Sequence, residues 1–334
     1  MEDCKIYIWK KREGSDDECQ IPVVVEGITW ESVRKGEPSK LTFTCVKTDK
    51  LSFPEGAPVS FYYGKTPVFR GYVFQKKRDK EQHIEVTCYD QLRYMANTNT
   101  YVLSGVRADQ VLTRIADDIG FKLKAGGIAN TGFVIPKFDK SNMTLFDIIL
   151  DALDDTVYAT GNLYYMYDDF GEIVLKNIKD SILDDFILND SMAENFDYSS
   201  SIDSNTYNRI VVIQKADGDN ESEKVTYFDD NKGEDNKQKA WGILQKIVEV
   251  QNGTNVTELG NTLLKLHSHV YRSLKITGVL GNIKCRAGMG IYTDLKLGDQ
   301  NINNIMLVDK ATHTFENGHH YMDLTLNGRK EYYD

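Results

Sequence analysis

Residues 273–329 read SLKITGVLGNIKCRAGMGIYTDLKLGDQNINNIMLVDKATHTFENGHHYMDLTLNGR. Glycines punctuate short alternating apolar runs, and a Thr- and aromatic-rich close follows; this is the pattern of a β-meander. An earlier stretch, residues 55–90, EGAPVSFYYGKTPVFRGYVFQKKRDKEQHIEVTCYD, follows a similar plan. Setting Gly56 on Gly288 and allowing six extra residues in the following loop places Val68 on Met306. Ile84–Glu85–Val86–Thr87 then falls on Met322–Asp323–Leu324–Thr325. The chain reads as two copies of one small β-unit separated by everything between.

A chain of 334 residues holds two or three domains at ~150 residues each. Apolar residues make up 41% and charged residues 27%, an ordinary globular composition. No apolar run approaches the ~20 residues of a membrane-spanning helix, and MEDCKIYIWKKREGSDDE lacks a signal-peptide layout. Synthesis and assembly in the cytoplasm, with no membrane anchor, are expected. Cys4, Cys19, Cys45, Cys88 and Cys285 show no CxxC spacing, and the last three alternate with strand residues as small core hydrophobes. The net charge of −10 disfavours gripping nucleic acid, which rewards a basic face. The basic runs Lys10–Arg12 and Lys76–Arg78 are short and are expected in β-turns.

Seven short runs rich in β-branched and aromatic residues fill the first part of the chain. They are Ile6–Trp9, Ile21–Glu26, Ile28–Val33, Leu41–Val46, Val59–Tyr63, Val68–Phe74 and His83–Tyr89. Helical spacing then covers Asp109–Ile119, stopped by Gly120, and Thr144–Leu153, with Ser141-Asn142 as its cap. A hairpin, Leu163–Tyr167 and Glu172–Leu175, turns at Asp168–Gly171. Strands are expected at Arg209–Gln214 and Glu223–Phe228, split by an acidic turn, with a polar loop over 229–239. Lys239–Val250 and Val256–Tyr271 carry helical spacing, the latter with Leu259, Leu263, Leu266 and Val270 in one stripe. The expected fold is α+β, mainly β: two similar small β-barrel domains flank a small α+β module. Their bounds are 1–96, 97–200 and 201–334, the last with inserted helices at about 237–271.

Chemistry-bearing motifs are sparse. His267 and His269 point apart on a helix, and His313, His319 and His320 have no Cys or carboxylate partners at ligand spacing. The pairs Asp117-Asp118, Asp154-Asp155 and Asp168-Asp169 fall at expected helix ends and hairpin tips, where solvation keeps acids ordinary. GxSxG, GxxxxGK[ST] and HExxH are absent. The glycine-rich KAGGIANTG, 124–132, reads as a connection. No catalytic, metal or cofactor-binding residue is assigned, and no enzymatic activity is expected.

In order and spacing the chain resembles the baseplate hub proteins of contractile phage tails and phage-tail-like bacteriocins. This group includes the late control protein D and defective Bacillus prophage hubs. EVTCYDQLRYMANT, SNMTLFDIILDAL, YYMYDDFGEIVLKN, ITGVLGNIKCRAGMGIYTD and MDLTLNGR carry the likeness over nearly the full length. The resemblance implies a homotrimer whose two tube-like barrels per chain make a pseudo-six-fold ring. Such a ring adapts a hexameric tail tube to a trimeric central spike within a virion or tail-like particle. Implied neighbours are the tail tube, spike, baseplate wedge and tape-measure proteins, with DNA at most passing through the lumen. Corresponding hairpin tips offer candidate assembly residues: Lys76, Lys77, Arg78 and Gln82 in one copy, and Glu316, Asn317 and His319 in the other. A rival reading rests on VLSGVRADQVLTRIADDIGF, 102–121, which partly matches the peptidoglycan-binding LysM pattern; a cell-wall hydrolase using Asp117 or Asp154 is a third.

Overall fold

The computed structural model describes residues 3–12, 15–203, 205–214, 223–232, 236–250, 255–297 and 300–328. The acidic turn at 216–221 lies outside the described residues, as does Arg329.

The N-terminal strands are β1 (Cys4–Arg12), β2 (Ser15–Gln20), β3 (Val24–Val33), β4 (Lys40–Val46), β5 (Pro58–Tyr63), β6 (Thr66–Arg78) and β7 (His83–Tyr89). They pair in the order β3-β4-β7-β6-β5-β1-β2. In β4 the alternation of Leu41, Phe43 and Cys45 against Thr42 and Thr44 puts the first set in the core. Two expectations change here. The runs around Gly27 are one strand, β3, interrupted by a register shift between Glu26 and Thr29, where Gly27 takes φ +35°. The polar REGSDDE, 12–18, reads as a cluster of turn residues, but Ser15–Gln20 is a strand, because pairing with β1 supplies partners that its polar sequence does not advertise. Both basic runs end long strands, β1 and β6, and are not turns.

The middle segment holds β8 (Thr98–Val106), α1 (Ala108–Ile119), β9 (Leu123–Ile128), β10 (Ile135–Thr144), α2 (Leu145–Thr160), β11 (Tyr164–Asp168) and β12 (Ile173–Asn177). Gly120 ends α1 at φ +83°. Thr144, rather than Ser141-Asn142, caps α2: its Oγ1 accepts from the Asp147 amide. Ser141-Asn142 belongs to β10, and α2 runs seven residues past Leu153 to Thr160. The glycine-rich 124–132 contributes β9, which pairs in parallel with β12. Strands β9 and β10 separate the two helices, so the 102–121 stretch opens a βαββα arrangement. Both helices bury their apolar stripes in one core with Phe138, Ile173 and Leu175.

The remainder comprises β13 (Ile182–Asn189), β14 (Asn195–Ser201), β15 (Arg209–Gln214), β16 (Lys224–Asp229), α3 (Lys237–Trp241), β17 (Gln245–Val250), α4 (Val256–His267), β18 (Tyr271–Leu280), β19 (Gly290–Leu297), β20 (Gln300–Glu316) and β21 (His319–Asn327). The expected helix over Lys239–Val250 is a single turn, α3, followed by strand β17. The β-branched Ile247, Val248 and Val250 lie on a strand paired in parallel with β15. α4 ends at His267, so His267 closes the helix and His269 sits in the connection to β18. Leu259 and Leu263 of α4 cover Ile210 and Val212 of the β16-β15-β17 sheet.

The two β-units do not form separate closed barrels. Their strands join in one thirteen-stranded sheet, because β20 of the second unit pairs antiparallel with β3 of the first. The second unit has the order β14-β18-β21-β20-β19-β13. This matches β3-β4-β7-β6-β5-β1 strand for strand, although β13 meets β19 in parallel whereas β1 meets β5 antiparallel.

The duplication extends to individual hydrogen bonds. Gly56 N–H donates to the Val73 carbonyl at 2.7 Å, and Val73 N–H donates to Ala57 at 2.9 Å. Gly288 N–H donates to Val308 at 2.8 Å, and Val308 N–H donates to Met289 at 2.9 Å. Both glycines hold positive φ, +81° and +93°, a region costly for other residues. A register shift follows Val73 in the β6–β7 ladder and Val308 in the β20–β21 ladder. These ladders keep Thr87 on Thr325 but move one expected equivalence: Gly71, not Val68, corresponds to Met306. The extra residues of the second copy are shared between its two hairpins.

Candidate assembly surfaces and the buried node between modules

The predicted tip residues occupy unlike settings. Lys76 is held down: its Nζ donates to the Phe53 carbonyl at 2.8 Å and lies 3.3 Å from Glu55. Lys77 is exposed, 3.4 Å from Glu85, and exposed Arg78 closes β6. Gln82 turns the chain at φ +66°, and its carbonyl accepts from the Lys47 amide. In the other hairpin, Asn317 and Gly318 both take positive φ, the signature of a type I′ turn. Glu316, Asn317 and His319 line an open groove of about 290 Å³ with Val24, Val25 and Tyr63.

The first tip carries a trio, Asp79, Glu81 and His83, whose ligand atoms lie within 4.8 Å of one another. Asp79 is committed to the turn: its carboxylate accepts from the amides of Glu81 at 2.9 Å and His83 at 2.8 Å.

Beneath the β3–β20 junction lies a buried node that sequence reading did not find. The Arg286 guanidinium stacks 4.4 Å from the Tyr167 ring centroid and 5.5 Å from that of Trp30. It also donates to the Asp168 carbonyl at 3.4 Å. One residue of the second unit thus touches the first unit and the middle segment. The neighbouring Ala287 amide donates to Ser32 Oγ at 3.1 Å, and Gly288 packs so closely on Tyr165 that a Cβ would lie 2.0 Å from the ring.

Asp168 was expected in solvent but is buried. Gln91 Nε2 and the Gly171 amide each donate to it at 2.6 Å, and burial pushes its pKa up to about 6. Asp90, also buried, is raised by desolvation and then by the Asp168 charge, while accepting from the Ser39 and Leu92 amides. Asp155 is pushed to about 6 by burial, since α2 continues past it.

His313 and His320 pair at the same junction. His313 Nε2 lies 2.8 Å from the Cys285 carbonyl, which can only accept, so this nitrogen carries the proton. Nδ1 therefore accepts, and His320 Nε2, 2.9 Å away, donates to it. Burial, then the neighbouring His320, lowers His313 to about 3; burial lowers His320 to about 4. Cys45, Cys88 and Cys285 are buried as small hydrophobes.

The chain is mainly β, with a duplicated β-unit and an α+β segment between the two copies. Residues 28–327 match the YqbQ-like family, and the chain belongs to that family. It is 29% identical over 316 residues to the phage-like element PBSX protein XkdQ of Bacillus subtilis (strain 168), covering 92% of this chain and 93% of that one. Its fold is similar to that of the prophage MuSo2 43 kDa tail protein from Shewanella oneidensis, with a TM-score of 0.71 at 10% identity over 99% of this chain and 100% of the other. It is also similar, at a TM-score of 0.57 and 10% identity, to the E. coli c3393 protein, a component of the type VI secretion system with structural similarity to T4 tail proteins gp27 and gp5; 99% of this chain and 78% of that one are covered.

Proposed function

We propose that the protein is a structural component of a phage-tail or tail-like particle baseplate: a homotrimeric hub joining the hexameric tail tube to the trimeric central spike. The observation carrying this reading is the shared six-strand order of the two β-units. Three chains with two equivalent units each would present six similar surfaces to a tube on one side and keep three-fold symmetry toward a spike on the other. Homology to a phage-like element protein supports a setting in a phage-tail or tail-like particle. In this reading, segments 1–96 and 201–334 are the tube-like units and 97–200 is a lateral module. The tips at Lys76–Gln82 and Glu316–His319 contact the neighbouring proteins of the baseplate. The surrounding proteins are the tube, spike, wedge and tape-measure proteins, and the acidic balance suits a lumen that DNA passes through without sticking.

Native mass spectrometry of the full chain, together with imaging of the assembled tail end, tests this. A mass of three chains and a ring of six β-units is expected. A stable count that is not three or a multiple of three overturns it.

A further inference from the structure

The β3–β20 ladder shows how one β-unit grips another, and the same half-site stands open elsewhere in the chain. Strand β20 forks: Gln300–Leu307 takes β19 on one edge, and beyond it, on that same edge, Lys310–Phe315 takes β3. Leu307 proves the sidedness, because it pairs with Gly290 on one side and Asn327 on the other. Strand β6 presents the same edge with one of the two partners. Its Thr66–Tyr72 portion takes β5, while on that edge Gln75–Arg78 has no ladder among the described residues. The missing partner has a counterpart too. Strand β14 corresponds to β3, and it pairs only with β18, leaving its outer edge open among the described residues.

We propose that Gln75–Arg78 of one chain pairs antiparallel with Tyr198–Ser201 of a second copy, repeating between chains the ladder that β20 and β3 make within one. Register follows from the internal repeat. Val73 corresponds to Val308, so Gln75 corresponds to Lys310 and Lys77 to Thr312. Leu41 corresponds to Leu274, so Trp30 corresponds to Tyr198 and Glu31 to Ser199. Thr312 pairs with Glu31; hence Lys77 lies opposite Ser199, and Gln75 opposite Ser201.

Three features fit this partner. The β6 edge is basic through Lys76, Lys77 and Arg78, whereas β14 carries exposed Asp197 and follows directly on exposed Glu194. Asp197 then falls one diagonal step from Lys77, within reach of a long side chain. β14 also exposes Phe196 at 47% and carries no proline or lysine, so it is an edge strand left without the usual protection. The contact is heterologous, joining different surfaces, and closes only by forming a ring.

The proposal rests on the ring reading but fails separately from it. Lys77→Cys and Ser199→Cys are combined in the full chain with Cys4 and Cys19 replaced by serine, and the protein is mildly oxidised. Directly opposed strand residues lie within disulfide reach, so covalent dimers and trimers are expected on a non-reducing gel. Mixed single variants should give dimers only, and Lys77→Cys with Ser201→Cys should cross-link far less. In the unmodified chain, amides of 75–78 and 196–201 should exchange about tenfold or more slowly in the assembled form than in dilute monomer. Trimers without the 77–199 cross-link or this protection overturn the ladder and leave the hub reading standing. A chain that stays monomeric at high concentration overturns both.

Discussion

The Lys310 ammonium lies 2.7 Å from the Glu31 carboxylate across the ladder joining the two β-units. Lys40 approaches the same carboxylate at 3.1 Å from β4. Burial opposes ionisation of Glu31, but hydrogen bonds from Lys310 and Lys40 outweigh it and hold the carboxyl below its ordinary range. Glu31→Gln leaves two ammonium groups facing an amide. A loss of about 1 kcal/mol is expected in urea denaturation, shrinking as salt is raised.

Phe315 belongs to the second unit by sequence and to the first by packing. Its ring centroid lies 5.2 Å from that of Phe61, and it is buried in the N-terminal core. Phe315→Ala should cost about 3–5 kcal/mol. Hydrogen exchange should quicken in β1 and β5 of the first unit as well as in β20, which a purely local loss would not produce.

The His313–His320 pair by itself destabilises the fold in acid. Both folded pKa values lie below the usual 6.5, so the unfolded chain binds more protons and stability falls as pH drops from 6.5 toward about 3. His313 alone contributes a slope of about 1.4 kcal/mol per pH unit in that window. Asp168, Asp155 and Asp90 act with the opposite sign: burial raises their folded pKa values, the first two from 3.8 to about 6, so protonation in that range favours the fold. Comparison with His313→Gln separates the two. The variant should be less stable at pH 7 and show a shallower loss of stability between pH 6 and 4.

Gly56 and Gly288 are equivalent by hydrogen bonding yet differ in surroundings. A Cβ at Gly56 meets nothing within 4 Å, whereas one at Gly288 collides with Tyr165. Gly56→Ala should cost about 1–2 kcal/mol through left-handed backbone strain alone. Gly288→Ala should cost clearly more, and Tyr165→Ala should recover part of the difference in a double-mutant cycle.

Much of the strand and helix content was legible from local pattern. Lys40–Val46 alternates cleanly, and α1 ends where Gly120 permits a left-handed turn. Failures came where local pattern and pairing partner disagree. β2 is polar and β9 glycine-rich, and each exists because a neighbouring strand supplies its hydrogen bonds. Residues 245–250 carry apolar spacing compatible with a helix, and pairing with β15 decides for a strand. Asp168 looks like a hairpin-tip acid, but Gln91 and Arg286 close over it from distant parts of the chain.

That a small β-unit occurs twice is legible in the residues alone, because turn glycines and alternating apolar residues are local requirements repeated in both copies. How the copies meet emerges only in the folded chain. Strand edges present the same backbone donors and acceptors whatever their side chains, so no local pattern announces that β20 takes β3. The same physics hides the buried node, since Arg286, Trp30, Asp168 and Tyr167 become neighbours only after both β-units and the middle module have closed around them.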